Sequence, residues 1–372
     1  MGTVKNKPRI LSLFSGCGGL DWGFHMAGYK TVWANDIDEW AVKSFEANFG
    51  KNIITNRNIE KINPRDETIP DCDLILGGFP CQDFSVVWKQ PGLDGDRGNL
   101  YKYYLRFIEE KRPKAFVAEN VKGLLTANKG KAINEILKGF SNAGDGYMVK
   151  IQLYNFAGYG VPQFRERVLF VGIRLDTGFD FIHPAPTHGA SRKNKYKTAG
   201  QALKGVEKAT DFNADEIKIT DKTRNFLARI PEGGNFKDIP ADDPNYVKGM
   251  ISHVYRRIKL DEPAKTIIAA GGGGTWGYHF PDPRPLCNRE RARLQSFPDD
   301  FKFKGSVTEV RRQIGNAVPP VGVVLLAETL IPLFENSYKK TDLYKINDEL
   351  KKKSIKERLI YDEKIHEAKV VK

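Results

Sequence analysis

Between residues 9 and 173, short apolar runs alternate with longer amphipathic stretches, and that alternation leaves the chain few possible folds. RILSLFSG, KTVWAND, CDLILGGFP, KAFVAEN and RVLFVGI are short, rich in β-branched and aromatic residues, and bounded by Gly, Asn, Asp or Pro, as strands are. Among them lie amphipathic segments such as Asp38–Asn48 and Leu100–Lys111, which read as helices. Such an order predicts an α/β fold with a parallel sheet covered by helices on both faces. Ligands of these folds sit in the crevice at the carboxyl ends of the strands, so the residues that end strands are the ones to examine.

With 372 residues, 40% of them hydrophobic, the chain can bury a sizeable core and is expected to form two domains. The four cysteines, Cys17, Cys72, Cys81 and Cys287, are widely spaced, with no Cys-x-x-Cys pair, so neither a zinc site nor a disulfide framework is expected and the thiols read as reduced and cytoplasmic. No apolar run reads as long enough to span a bilayer, and the first residues lack a signal-peptide stretch. The formal charge of +13 favours a polyanionic partner. Much of it comes from residues 190–260, with 15 basic against 9 acidic side chains, and from 337–372, with 11 against 7. The second of these reads as a solvated, charged helix.

After the first strand, FSGCGGLDWGF places Gly16, Gly18 and Gly19 at a turn into a helix, where the backbone can approach a ligand closely. The spacing is Gly-x-Gly-Gly, unlike the Gly-x-Gly-x-x-Gly of nicotinamide dinucleotide sites. Asp36 ends the second strand twenty residues beyond Gly16, where a carboxylate can bond ribose hydroxyls, so a nucleoside-bearing cofactor is expected. Cys81 follows the strand 72–79, and Glu119 closes the strand 114–119. A lone cysteine is more often a small buried hydrophobe; at a strand's carboxyl end, beside a carboxyl group and a cofactor crevice, it reads as a nucleophile with a proton donor. Arg165 and Arg167, two apart in an extended segment, are expected to point the same way, the alternative being an ion pair with Glu166 or a surface charge.

FSGCGGL, Asn35-Asp36-Ile37-Asp38, GGFPCQDFS, ENVKG, QFRERV, RERARLQSFPDDF and RRQIGNAVPP occur in the order and at roughly the spacings of the DNA cytosine carbon-5 methyltransferases, which the chain resembles over residues 9–175 and 260–330. The resemblance implies a Rossmann-like S-adenosylmethionine-dependent methyltransferase domain with a smaller inserted target-recognition domain. It places the first part of the catalytic domain at 1–185, the recognition domain at 186–300 with base reading in 186–285, a return to the catalytic domain at 301–340, and a charged tail at 341–372.

It also implies roles. Cys81 would add as thiolate to carbon 6 of cytosine. Glu119, protonated, would hydrogen-bond ring nitrogen 3, and Arg165 and Arg167 would hold the cytosine carbonyl and favour the thiolate. Phe14, Gly16, Gly18, Gly19, Leu20, Pro80, Leu100 and Asn316 would line the cofactor pocket, Asp36 would bind ribose, Ile37 would lie against adenine, and Asn58 would meet the adenine amino group. Asp36, Ile37 and Asn58 stand where many members carry glutamate, an aromatic and an acid. Gln82 and Ser85 would contact nucleic acid, and no metal is called for. Because a stacked base hides carbon 6, the target must be flipped out, and Ser85–Leu100 would close over it. The glycines Gly271–Gly274 read either as a hinge or as a loop against DNA backbone.

The expected partner is double-stranded DNA, in a restriction-modification setting with a possible partner endonuclease and with the enzyme a monomer. A transfer-RNA cytosine methyltransferase shares the nucleophile, but the basic interval 186–285 favours duplex DNA. A binding module would need neither Cys81 nor Glu119. An amino-group methyltransferase would need an Asp/Asn-Pro-Pro-aromatic stretch where Phe79-Pro80-Cys81-Gln82 stands.

Overall fold

The apolar runs fold as strands: β1 (Arg9–Leu13), β2 (Lys30–Asp36), β4 (Leu74–Gly77), β5 (Ala115–Val121) and β7 (Glu166–Arg174). Two further strands, β3 (Ile54–Asn56) and β6 (Tyr147–Asn155), complete one seven-stranded sheet of order β3-β2-β1-β4-β5-β7-β6. The helices α1 (Gly19–Met26), α2 (Glu39–Phe49), α3 (Leu100–Lys111) and α4 (Lys131–Asn142) connect them. The computed structural model describes residues 7–80, 100–212, 217–244, 246, 254–269 and 277–359.

The sheet is mixed rather than wholly parallel. β3, β2, β1, β4 and β5 run parallel, but β7 is antiparallel to both β5 and β6. Residues 156–165, between β6 and β7, are too few for the crossover that parallel neighbours need, so the chain turns back on itself. β3 escapes a reading of apolar pattern because its three residues, ITN, carry almost none.

Under the sheet, α4 buries Ile133, Ile136, Leu137 and Phe140, the i, i+3, i+4, i+7 stripe of an amphipathic helix. Phe140 meets Phe79, Phe116 and Phe170 at ring-centroid distances of 6.3, 4.9 and 5.9 Å. Tyr104 of α3 is fully buried, and its hydroxyl donates to the carbonyls of Ile75 and Val117 at 3.2 and 3.0 Å. Each such side chain contributes roughly 1.5–3 kcal/mol by leaving water, and Tyr104 also satisfies its hydroxyl.

Two compact units divide the chain: 1–155, 166–186 and 323–372 form one, and 156–165 with 187–322 the other. Residues 301–322, read above with the C-terminal return, are counted in the second. This second unit contains the helices α5 (Ala199–Leu203), α6 (Asp221–Ala228), α7 (Asn288–Leu294) and α8 (Val307–Asn316) with long irregular segments. Irregular backbone leaves carbonyls without ladder partners, and buried arginines supply the donors. Arg257 donates to the carbonyls of Leu227, Ile230, His279 and Pro281. Arg289 pairs with Asp211 and donates to the carbonyls of Pro298 and Phe301. Part of the positive charge counted in the sequence is thus internal scaffolding.

The chain leaves the second unit through α9 (Pro320–Glu335), which buries Val323, Leu326, Ala327, Leu330 and Leu333 in the first. The Ala327 carbonyl accepts from the Tyr29 hydroxyl at 2.9 Å. An 18-residue window within Val307–Glu335 is long and apolar enough, by length and composition alone, to cross a membrane, as the buried helix of a protein core also is, whereas the sequence reading expected no such run. In the structure the stretch Val307–Glu335 bends at 317–319 and half of its apolar window is buried. The tail is not the solvated helix its charge suggests: α10 (Leu343–Lys351) buries Leu343, Asn347 and Leu350 and packs on β6.

Candidate active site

β1 ends at Leu13, and the chain then turns through three left-handed residues, Phe14, Gly16 and Gly18, at φ 52°, 55° and 93°. Glycine meets that demand without strain at two of them. The turn is tied to the end of β2: Ser15 N donates to Asn35 O at 3.0 Å, and Gly16 N to Asp36 Oδ2 at 2.8 Å. Asp38 N donates to Asp36 Oδ1 at 2.8 Å, so both carboxylate oxygens are oriented by backbone. At Gly18 a Cβ would stand 2.4 Å from the Phe49 ring, whereas at Gly16 it would meet nothing within 4 Å. Gly18 is therefore demanded by packing, and Gly16 faces open space. Gly19 opens α1, Leu20 is buried behind the turn, and Ile37 stands 69% exposed beside Asp36. Asn58 caps a short 3-10 turn, its side chain accepting from Glu60 N at 3.0 Å.

Parallel register aligns the strand ends: Leu13 pairs with Asn35 and with Gly77, and Gly77 with Ala118. The next residue on β4's line, Gly78, therefore abuts Glu119, and a Cβ there would come 2.9 Å from Glu119 Oε2. Glu119 Oε1 lies 2.8 Å from Arg167 Nε, with the two side chains 12% and 16% exposed. They meet because β7 is antiparallel to β5: Val121 pairs with Arg167, which puts Glu119 and Arg167 on a same-face diagonal. Asn120 Nδ2 donates to Phe79 O at 3.2 Å, tying Glu119's strand to the residue before Pro80. Pro80 is half-buried, and Leu100, which opens α3, packs against the core. Cys81, Gln82 and Ser85, the rest of the expected closing loop up to residue 99, and Gly271–Gly274 lie outside the described residues.

The two arginines do not act as a matched pair. β7 begins at Glu166, so Arg165 belongs to the preceding irregular segment, where the alternation of an extended strand no longer holds. Arg165 is 1% exposed and donates to the carbonyls of Ile267 and Gly315 within the second unit. Glu166 pairs with Lys122 at 2.9 Å rather than with either arginine. Asn316, the last residue of α8, is exposed in that same unit.

Three residues that sequence reasoning passed over shape the site. Gly78 and Asn120 were within motifs already quoted, and their roles are seen only once strand register is known. Asp21, in the first turn of α1, is 1% exposed and accepts from Ser12 Oγ at 2.8 Å and Thr31 Oγ1 at 2.9 Å. Burial pushes its carboxyl up to about 6 against those two hydrogen bonds. An acidic residue just after a glycine turn was the available signal.

The glycine turn after β1, the backbone-oriented carboxylate ending β2 and the Glu119–Arg167 pair near the end of β5 stand on one mixed sheet of an α/β fold. The family model for C-5 cytosine-specific DNA methylase matches residues 8–331, and the chain belongs to that family of DNA cytosine-5 methyltransferases. It is 66% identical over 92% of its length to the Type II methyltransferase M.NgoFVII of Neisseria gonorrhoeae, 92% of which is covered. It is 40% identical over 88% of its length to the Type II methyltransferase M.BbvI of Brevibacillus brevis, 92% of which is covered. The solved Dnmt2 methyltransferase of S. pombe shares the fold, with a TM-score of 0.63 at 19% identity over 88% of this chain and 99% of that one.

Proposed function

We propose that this methyltransferase modifies carbon 5 of a cytosine flipped out of a specific double-stranded DNA sequence, with S-adenosylmethionine as the methyl donor and Cys81 as the nucleophile. The observation that carries the reading is the Glu119–Arg167 pair, held at the end of β5 against Gly78, three residues before Cys81 in sequence.

The residues of the first unit fit the cofactor. Gly16 borders open space, Asp36 offers an oriented carboxylate for ribose hydroxyls, and the bare Ile37 offers an apolar surface for adenine. When bound, S-adenosylmethionine supplies an activated methyl group to carbon 5. Everything else falls to the chain. Cys81 Sγ, as thiolate, forms a bond to carbon 6, and the ring becomes electron-rich at carbon 5. Glu119 hydrogen-bonds ring nitrogen 3, and Arg167 orients Glu119 and stabilises the charge that develops on the ring. Loss of the carbon-5 proton to a base then expels Cys81 and restores the aromatic ring. The Type II names of the relatives support a role in protecting the same sequence from a partner endonuclease.

Cys81→Ser tests this directly, because a serine hydroxyl stays protonated near neutral pH and is a far poorer nucleophile. It should lose at least about a thousandfold in turnover while binding S-adenosylmethionine as the wild type does. DNA carrying 5-fluorocytosine should trap the wild-type enzyme covalently, since fluorine cannot leave as a proton. Near-normal turnover by the variant in a tritiated-methyl assay removes Cys81 from the mechanism. Bisulfite sequencing of DNA from expressing cells identifies the modified cytosine and its flanking bases.

A further inference from the structure

Residues 187–198 carry four basic side chains, Arg192, Lys193, Lys195 and Lys197, and no acidic one. The segment lies in the second unit, and its backbone is tied down. Thr187 N and His188 N both donate to Gly158 O, at 2.8 and 2.9 Å, and Gly189 N donates to Asn194 O at 2.9 Å, which closes a loop. Lys195 Nζ donates to Ala190 O within that loop at 2.7 Å, and Tyr196 meets Phe164 edge-on at a ring-centroid distance of 5.6 Å. Thr198 then caps α5. The loop borders a groove of about 750 Å³, lined by residues of the same unit that include His188, Lys195, Tyr196, Lys197, Phe297 and Val321. All four cations are exposed, and among the described residues none of them has a carboxylate partner. Other arginines of the unit are committed: Arg229 pairs with Asp243, Arg289 with Asp211, and Arg293 with Asp299.

We propose that this loop and groove hold the sugar-phosphate backbone of the DNA, setting affinity and register while bases are read elsewhere in residues 186–285. This rests on the proposed reading in which the substrate is double-stranded DNA of a specific sequence. Charge chooses the partner: each cation that neutralises a phosphate releases condensed counterions, and four cations without an acid suit a polyanion. Residue type chooses the backbone over the base edges. Three of the four are lysines, compact point charges with donors only, which suit phosphate oxygens, whereas base edges are read best by guanidinium and amide forks. A loop tied to Gly158 and Phe164 can fix register without carrying sequence information.

The triple variant Lys193→Gln, Lys195→Gln, Lys197→Gln is compared with wild type by fluorescence anisotropy over a series of salt concentrations. One duplex carries the sequence found by bisulfite sequencing, and the other is unrelated. The slope of log Kd against log salt should fall by about 2–3, near the value of about 0.9 per lost phosphate contact. Affinity for both duplexes should drop together by about ten- to a hundredfold at physiological salt, so that their ratio stays within about threefold. Replacing the same three lysines by arginine should restore the wild-type slope. The double variant Lys193→Gln, Lys197→Gln leaves the Lys195 tie to Ala190 in place, and should lose about 1.8 of the slope even if the triple variant misfolds. An unchanged slope in the double variant, beside a wild type that prefers its own sequence, overturns the inference. So does a loss of that preference with the slope unchanged, the mark of base contacts. A wild type that binds neither duplex sinks the substrate reading and this inference with it, an outcome distinct from the other two, which need a binding wild type.

Discussion

Asp21 shows how a residue can matter to a site it never touches. Its carboxyl bridges Ser12 on β1 and Thr31 on β2, so it anchors the first turn of α1, at the glycine turn, to the two strands beneath. Burial raises its pKa from 3.8 to about 6, so the folded state holds a proton that the unfolded chain gives up. Folding stability from this group is therefore greatest below pH 4, falls as pH rises from 4 to 6, and is flat above; the span is worth about 3 kcal/mol. Asp21→Asn does not titrate. The melting temperature of wild type relative to Asp21→Asn should fall by several degrees between pH 4.5 and pH 7.5 in scanning fluorimetry, and a constant difference would show that the carboxyl does not titrate there. Gly78 argues a second residue-level case. The one tight contact of its added Cβ is with the tip of the Glu119 side chain, which can move, while the Glu119 backbone oxygen at 3.7 Å is an ordinary contact, so Gly78→Ala should fold with little change in melting temperature. Moving that carboxyl disturbs its pairing with Arg167, and a displacement near 1 Å can cost about a hundredfold in rate. Wild-type kcat in Gly78→Ala would mean that the placement of Glu119 is not critical.

Among the elements, the strand positions that could be read from the sequence are those with a strong apolar pattern, and they include the ends that carry Asp36, Gly78 and Glu119. The direction of β7 was not readable in the same way, because direction depends on how the chain returns through residues 156–165 and not on the composition of the strand. That one difference decides the site, since antiparallel pairing is what brings Arg167 to Glu119 and leaves Arg165 outside the strand. The tail makes the reverse point. Its charge suggested a solvated helix, yet one side of α10 carries Leu343, Asn347 and Leu350 and is buried. Leu350→Ala should lower stability by roughly 2–4 kcal/mol through lost burial and the cavity left behind. Urea unfolding followed by circular dichroism measures it, and a loss below about 0.5 kcal/mol would return α10 to a solvated role.

For the whole molecule, the proposed division of labour, with the sheet doing chemistry and residues 186–285 reading DNA, predicts that specificity can be moved. Replacing residues 186–285 with the interval from a relative of different specificity should shift methylation to the relative's sequence, with base-edge contacts each contributing roughly 1–3 kcal/mol of discrimination. A folded, active chimera that still modifies the original sequence places recognition elsewhere. Affinity should fall steeply with salt, since phosphate contacts release counterions, but with a slope smaller than the positive charge of the interval suggests, because Arg257 is spent on the unit's own carbonyls. The sequence by itself determined the family: the glycine turn, Asp36, Pro80-Cys81, Glu119 and Arg167 stand in the order of the DNA cytosine-5 methyltransferases, because residue type and place along the chain are covalent facts. Only the tertiary structure decided which of these groups touch. Strand register set Gly78 against Glu119, antiparallel return set Arg167 beside it, and burial turned Arg165 inward. Contacts between residues far apart in the chain depend on how segments close in space, which no local pattern of side chains encodes.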